Sequence, residues 1–169
     1  MKNFIKIILL MGVSSLLLIG CNSKKSEKTI DNFINTLISA KTYESIASSD
    51  DSAKFMDESG KIFKEYLTED ALNTLMLNRI PYFYYTVIKN NNINDTTDLK
   101  IVKTKETEEE KYTHYEYEVS YKLESDDKTI DMKDYMAFKV INDNTTVIND
   151  VYVSDKTSSI FSEYKALSE

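Results

Sequence analysis

The hydrophobic pattern of this chain changes its period past the midpoint. In the first half, apolar residues recur three and four positions apart, which predicts amphipathic helices. In the second half, they alternate with polar residues, which predicts strands with one buried side and one solvent-facing side. The clearest alternation is that of Tyr115, Tyr117, Val119, Tyr121 and Leu123. Helices followed by successive strands with short turns predict an α+β fold, with N-terminal helices packed on a four-stranded antiparallel sheet.

The helical half divides at capping and breaking residues. Thr29 is the expected N-cap of the first helix. The apolar face of that helix is formed by Ile30, Phe33, Ile34, Leu37 and Ile38. A second helix is predicted from about residue 52 to 66, and Thr68 is expected to cap a third that ends or kinks before Pro81. The segment Pro81–Ile88 has two interpretations: its composition favours a strand, and its position after a helix favours a helical turn.

The strand half is predicted to contain four strands and a final helix. The first strand begins at Leu99 and ends before a charged turn at residues 106–111. The third has apolar inner positions interrupted at Asp134, which predicts a bulge there. A tight turn is expected at Asn142-Asp143-Asn144, before a fourth strand. The residues at helical spacing in the tail are Ile160, Phe161, Tyr164 and Leu167.

The first twenty residues have the pattern of a secretory leader. Lys2 and Lys6 supply a positive start, and residues 7–19 are uncharged and mostly aliphatic. That stretch is shorter than the roughly 20 apolar residues that a spanning helix needs, but it suits the hydrophobic region of a signal peptide. The expected organisation is a signal peptide over residues 1–20, a flexible tether over 21–28 and a single α+β domain over 29–169.

The end of the leader, Leu18-Ile19-Gly20-Cys21, resembles the lipobox of bacterial lipoproteins. The resemblance implies that diacylglycerol is attached to the Cys21 thiol and that a dedicated peptidase cuts between Gly20 and Cys21. Two acyl chains give stable anchoring where one is only marginal. The expected location is therefore the outer face of the cell membrane, with the lipid as the contact to the bilayer.

Composition excludes several classes of partner and cofactor. The chain has 21 basic and 28 acidic residues, a formal net charge of −7 that becomes −9 once Lys2 and Lys6 leave with the leader. This charge disfavours nucleic acid and anionic lipid as partners, because both are polyanions. One Cys and one His exclude a zinc site of the usual kind, and three Gly exclude a glycine-rich phosphate loop. We predict no cofactor and no metal.

The order of elements resembles the nuclear-transport-factor-2-like, or cystatin-like, fold, in which helices cross the concave face of a curved sheet. The match is also local. Residues 31–37 followed by 41–45 look like the opening of many small lipoproteins of that fold, and residues 64–72 look like their second segment. The chain departs from them at residues 144–147, where members often carry a Gly-Lys-Trp hairpin. The fold is shared by enzymes, receptors and scaffolds, so it gives no function by itself.

Three polar features are candidates for chemical sites. His114, the only histidine, shares its strand parity with Glu116 and Glu118, which places it on the solvent side. Asp134 has inner-face parity and therefore two interpretations: an inward carboxylate with a raised pKa that acts as a general base, or a solvated residue at a bulge or strand end, which is preferred. The acidic run from Glu106 to Glu110 lacks an EF-hand pattern and is interpreted as a charged hairpin tip. No residue is predicted to be catalytic.

The aromatic run Tyr82-Phe83-Tyr84-Tyr85 cannot point entirely into one core, because its residues are consecutive. Tyrosine is favoured at interfaces, since it joins apolar area to a hydroxyl. Tyr82, Tyr84 and Tyr85 are therefore the candidate contacts to a partner or ligand, with coverage of the sheet end as the alternative. The sequence favours a non-catalytic interaction or assembly module that contacts another envelope protein. The alternative is a ligand-binding cone, or an isomerase or hydrolase, which requires a pocket with converging polar groups.

Overall fold

The computed structural model describes residues 24–46, 52–142 and 147–167. Within them the order of elements is α1 (24–38), α2 (Ala40–Glu44), α3 (Ser52–Phe63), α4 (Glu69–Leu77), α5 (Ile80–Asn90), β1 (Asp95–Glu108), β2 (Tyr112–Glu124), β3 (Thr129–Ile141), β4 (Ile148–Val153) and α6 (Ser159–Ala166). The fold is therefore α+β with the helices largely before the strands, as the change of hydrophobic period predicts. The predicted signal peptide and its expected cleavage site between Gly20 and Cys21 lie outside the described residues.

Helix α1 begins earlier than its apolar pattern predicts. All five residues of the predicted face are buried. Thr29 is not the N-cap but lies inside the helix, where its hydroxyl donates to the Lys25 carbonyl oxygen at 3.1 Å. Residues 24–28 are helical and Ser26 is buried, so the prediction of a flexible tether is wrong for that part. The polar composition of this segment predicts a spacer, but the segment continues the helix and buries Ser26.

The segment Pro81–Ile88, for which the sequence allows a strand or a helical turn, belongs to helix α5. Pro81 occupies its first turn, where a missing N–H breaks no intrahelical bond. The buried residues return one and two turns later, at Tyr84 and at Val87 with Ile88. Thr68 caps α4 as predicted, since its hydroxyl accepts from the Ala71 N–H at 3.3 Å. Helix α4 ends at Leu77, before Pro81.

The four strands form one antiparallel sheet in the order β1-β2-β3-β4. In β2 the odd-numbered residues from Thr113 to Leu123 are all buried, which confirms the predicted alternation. Strand β1 is longer than expected and includes residues predicted as loop and turn, and its last seven residues are exposed. The tight turn expected at residues 142–144 lies mostly outside the described residues, since Asp143 and Asn144 are not among them.

The helices pack on the inner side of the sheet and fill it. Phe33 of α1 makes an edge contact with Phe138 of β3, with ring centroids 5.8 Å apart. Tyr117 of β2 contacts the same ring at 5.8 Å. Helix α6 docks through Phe161 and Tyr164, whose rings lie 5.2 and 4.7 Å from that of Phe83 in α5. None of the helices described here is long and apolar enough to cross a bilayer.

Candidate functional site

One acidic side chain lies at the centre of the fold. Asp134 of β3 is 0% exposed. Its Oδ2 accepts hydrogen bonds from the hydroxyls of Tyr84 in α5 at 2.8 Å and Tyr121 in β2 at 2.7 Å. Its Oδ1 accepts from the Ile160 N–H at 3.1 Å. Three donors from three different elements therefore converge on one carboxylate.

Asp134 also supplies the cap that helix α6 lacks. The N-cap residue, Ser158, makes no side-chain cap hydrogen bond. Its hydroxyl instead accepts from the Tyr135 N–H of β3 at 2.9 Å. The open N–H of Ile160 in the first turn of α6 points to Asp134, where a negative charge also suits the helix dipole. The carboxylate thus fixes α6 to the sheet.

The electrostatics of this cluster reflect its burial. Desolvation raises the pKa of the Asp134 carboxyl above its usual value, and the hydrogen bonds from Tyr121, Ile160 and Tyr84 oppose that rise. Burial, together with the nearby Asp134 charge, raises the pKa of the Tyr84 and Tyr121 hydroxyls well above 10. Both phenols therefore remain protonated donors across the physiological range.

The preferred sequence interpretation of Asp134, a solvated bulge, is wrong. Strands β2 and β3 pair without a register shift, and Asp134 lies opposite Val119. The expectation that no second polar group converges on it is also wrong, because Tyr84 and Tyr121 do. The parity of the strand was the correct signal. The alternation put Tyr121 on the same inner face, but nothing in the sequence linked Tyr84 to it from fifty residues away.

The inner side of the sheet is packed with side chains rather than open. A binding cone requires an open cavity on this side of the sheet. The side chains that fill the space are buried instead: Phe33, Leu37, Tyr117 and Phe138. The Asp134 carboxylate has its oxygens occupied by donors of the fold itself. A buried carboxylate held in this way stabilises the structure and has no substrate position beside it, so the cluster does not favour the ligand-binding or enzymatic alternative.

The three candidate contact tyrosines have different environments. Tyr84 is 0% exposed and belongs to the Asp134 cluster, so its prediction as a surface contact is not supported. Tyr85 is also buried, with its ring 4.6 Å from that of Phe55. Both are buried because α5 turns its inner stripe toward the core. Tyr82 is partly exposed, and its ring meets the Phe55 ring edge-on at 5.8 Å.

Tyr82 lines a groove between four helices, which we call the helical groove. It has a volume of about 560 Å³. Its lining residues are Ala53 and Met56 of α3, Met76 and Leu77 of α4, Arg79, Tyr82 of α5 and Tyr164 of α6. Leu77 is 82% exposed, the largest exposed fraction among the large hydrophobic residues described. The lining of the groove therefore combines an exposed leucine and two methionines with two tyrosines and one arginine.

Arg79 stands at the rim of the helical groove and is the only arginine of the chain. It joins α4 to α5 with a left-handed backbone, at φ 55° and ψ 26°. This conformation is strained for any residue with a Cβ. Within the described part of the chain, its exposed guanidinium makes no hydrogen bond or ion pair. A cation of fixed charge is thus held at the groove without a partner among these residues.

Sequence reasoning missed the groove, although one signal existed. The apolar face predicted for α4 consists of Ala71, Leu72, Leu75 and Met76. Leu77 falls outside that face, directly before a polar turn, and a large aliphatic residue off the helical stripe is expected to face solvent. The conformation of Arg79 had no such signal, because positive φ is usual for Gly and Asn rather than Arg.

The remaining polar candidates lie on the outer surface. His114 is on the solvent side as predicted, with Nε2 3.5 Å from Glu109 Oε2. Part of the acidic run belongs to β1 rather than to a turn, since the strand continues to Glu108. Among the described residues, no group of three or more His, Cys, Asp or Glu side chains is placed to hold a metal ion.

Comparison with known proteins assigns no family to the chain. No family model, no curated protein and no solved structure matches it. Its function is therefore argued from its own residues.

Proposed function

We propose that this protein is a lipid-anchored lipoprotein on the outer face of the cell membrane, whose mature domain is a non-catalytic protein-interaction module. Its domain would belong to the nuclear-transport-factor-2-like class, in which helices cross the concave face of a curved sheet. The observation that carries the interaction role is the helical groove. There Leu77 is 82% exposed beside two methionines and two tyrosines.

The anchor rests on Leu18-Ile19-Gly20-Cys21 and the uncharged leader before it. In the mature chain only Asn22 and Ser23 would separate the lipid-bearing Cys21 from the described helix α1. So short a connection would hold the domain close to the bilayer. A partner would then have to reach it in the envelope, beside the membrane.

The composition of the helical groove supports a protein as partner. Tyrosine, methionine and arginine are enriched at protein interfaces, and surface lysine and glutamate are depleted there. Methionine adapts its shape to an apolar partner, because its chain is unbranched. Contiguous exposed apolar surface on a folded domain commonly marks an interaction site.

The fold assignment draws on two features of the packing. The inner sides of β2 and β3 face the helices, while their outer sides face solvent. The helices that cover the sheet come before it in sequence, apart from α6. Both features are expected for a cone of this class, in which helices cross the concave face.

The proposal is tested by crosslinking on intact cells that produce the full chain. We expect one envelope protein to be recovered with the wild type and lost with Cys21→Ala, which removes the lipid attachment. Leu77→Ser should weaken its recovery several-fold. Val102→Ser is the matched control, because Val102 is also exposed, at 39%, but lies in β1 and outside the groove. Equal recovery with all four chains, or none with the wild type, would refute the proposal.

A further inference from the structure

The helical groove places one charge beside an apolar surface. Arg79 is exposed at the rim, and its guanidinium has no partner in the described residues. Leu77 and Met76 precede it by two and three residues and line the same groove. Several other exposed cations of the described residues are paired with acids, for example Lys61 with Asp57 at 2.6 Å and Lys122 with Asp98 at 2.6 Å.

We propose that the helical groove binds an amphipathic segment of another protein, and that a single carboxylate beside the apolar stripe of that segment pairs with Arg79. This inference rests on the proposed function and names the partner of that site. A guanidinium presents two parallel N–H groups to a carboxylate, a geometry that a lysine does not reproduce. The apolar stripe would contact Leu77, Met56 and Met76 at helical spacing, as in other helix-in-groove complexes.

The charge of the whole chain decides against two other occupants. A second copy of the chain without its leader would bring its own formal net charge of −9, and like-charged molecules repel. Recognition of an anionic membrane typically uses clusters of four to eight basic residues, whereas the groove is lined by one. One cation beside apolar side chains fits one carboxylate on an otherwise apolar face.

Tyr82 offers a second hydrogen-bond donor to the partner's carboxylate. The Tyr82 hydroxyl makes no hydrogen bond to a described residue, and the side chain is partly exposed. It lies three residues after Arg79, on the first turn of α5. A carboxylate seated on the guanidinium would therefore have a phenol donor nearby. Tyr82→Phe should weaken the same contact by a smaller factor than a change at Arg79.

The test uses the full lipidated chain in phosphatidylcholine nanodiscs, with empty nanodiscs as the blank. The probe is a fluorescein-labelled peptide with leucines at i, i+3, i+4 and i+7, one glutamate flanking that stripe and neutral polar residues elsewhere. A second peptide has glutamine for the glutamate. We expect Arg79→Gln to weaken binding of the glutamate peptide about tenfold and of the glutamine peptide less than twofold.

Two further variants distinguish the effect of the Arg79 charge from the effects of other charges and of apolar contact. Lys156→Gln removes an exposed cation that does not line the groove, and it should leave both affinities unchanged. Leu77→Ser should weaken both peptides equally, because it removes apolar contact and not charge. Circular dichroism of each variant checks that the fold is retained.

Four outcomes would overturn the inference. The first is that Arg79→Gln weakens the affinity for both peptides equally, and the second is that the glutamate peptide does not bind at all. The third is an effect of Arg79→Gln that appears only when phosphatidylglycerol is added to the nanodiscs. The fourth is that the chain associates with itself through the groove instead of binding the peptide. Failure here with intact crosslinking in cells would leave the interaction role standing with another partner chemistry. Charge-dependent peptide binding with no crosslinked protein would instead contradict the cellular role.

Discussion

Asp134 and Arg79 are both charged residues set beside apolar surface, but the protein uses them in opposite ways. Asp134 is fully buried and accepts three hydrogen bonds from α5, β2 and α6. Arg79 is exposed, has a strained backbone and has no side-chain partner among the described residues. A satisfied buried charge belongs to the fold, because its donors leave no room for a ligand. An unsatisfied exposed charge is available to another molecule.

The largest effect is expected from removing the buried charge. Asp134→Ala leaves two tyrosine hydroxyls and one helix N–H without an acceptor in the core. We expect a loss of about 3–5 kcal/mol in the free energy of unfolding, measured by urea denaturation. Asp131→Ala is the matched control on the exposed side of the same strand and should change it by under about 0.5 kcal/mol. Similar losses for the two variants would show that Asp134 does not hold the elements together.

A smaller effect is expected when one donor is removed and the acceptor kept. Tyr121→Phe deletes one hydrogen bond to a charged group and should lower the free energy of unfolding by about 1–3 kcal/mol. Tyr152→Phe is the control, since its hydroxyl is exposed and reaches Asp155 at 3.3 Å. The same urea titrations measure both. A neutral Tyr121→Phe would mean that Asp134 is satisfied without it.

The raised pKa of Asp134 gives a pH dependence with a defined sign. A carboxyl whose pKa is higher in the folded than in the unfolded state binds protons more tightly when folded. The stabilisation that this proton binding gives to the folded state is fully present below the pKa of the unfolded state, near 3.8. It is lost as pH rises through the pKa of the folded state. The wild type should therefore gain stability relative to Asp134→Asn as pH falls from 7 toward 4. Urea titrations across that range check it, and a relative loss on acidification would contradict it.

The smallest effect is expected at Arg79, and it should have the opposite direction for stability. Arg79→Gly relieves the left-handed backbone and should raise stability by about 0.5–1 kcal/mol, or about 2–4 °C in Tm. The same change should abolish the carboxylate-dependent peptide binding. Asn92→Gly is the control, because Asn92 also has a positive φ, 51°, but does not line the groove. A glycine at position 79 that destabilises the protein would show that the arginine serves the fold.

The sequence predicted those elements whose period is strong and local. The buried face of α1 and the alternation of β2 are read directly, because each depends on residues within a few positions. Segment 81–88 was ambiguous, since aromatic residues suit a strand and a buried helix alike. The Asp134 cluster combines residues from positions 84, 121, 134 and 160, and no local pattern encodes such distant convergence. The groove was missed for the same reason, because residues of four helices and of the connection at Arg79 must meet to form it.

The interaction role is best tested by placing a photo-crosslinking phenylalanine derivative at chosen positions in intact cells. At position 82, which lines the helical groove, we expect one strong adduct with another envelope protein. At position 152, which is 57% exposed on the outer side of β4, we expect none. Adding Arg79→Gln should remove the adduct at position 82. An adduct at position 152 and not at 82, or one that is unaffected by Arg79→Gln, would contradict the assignment of the groove as the contact surface.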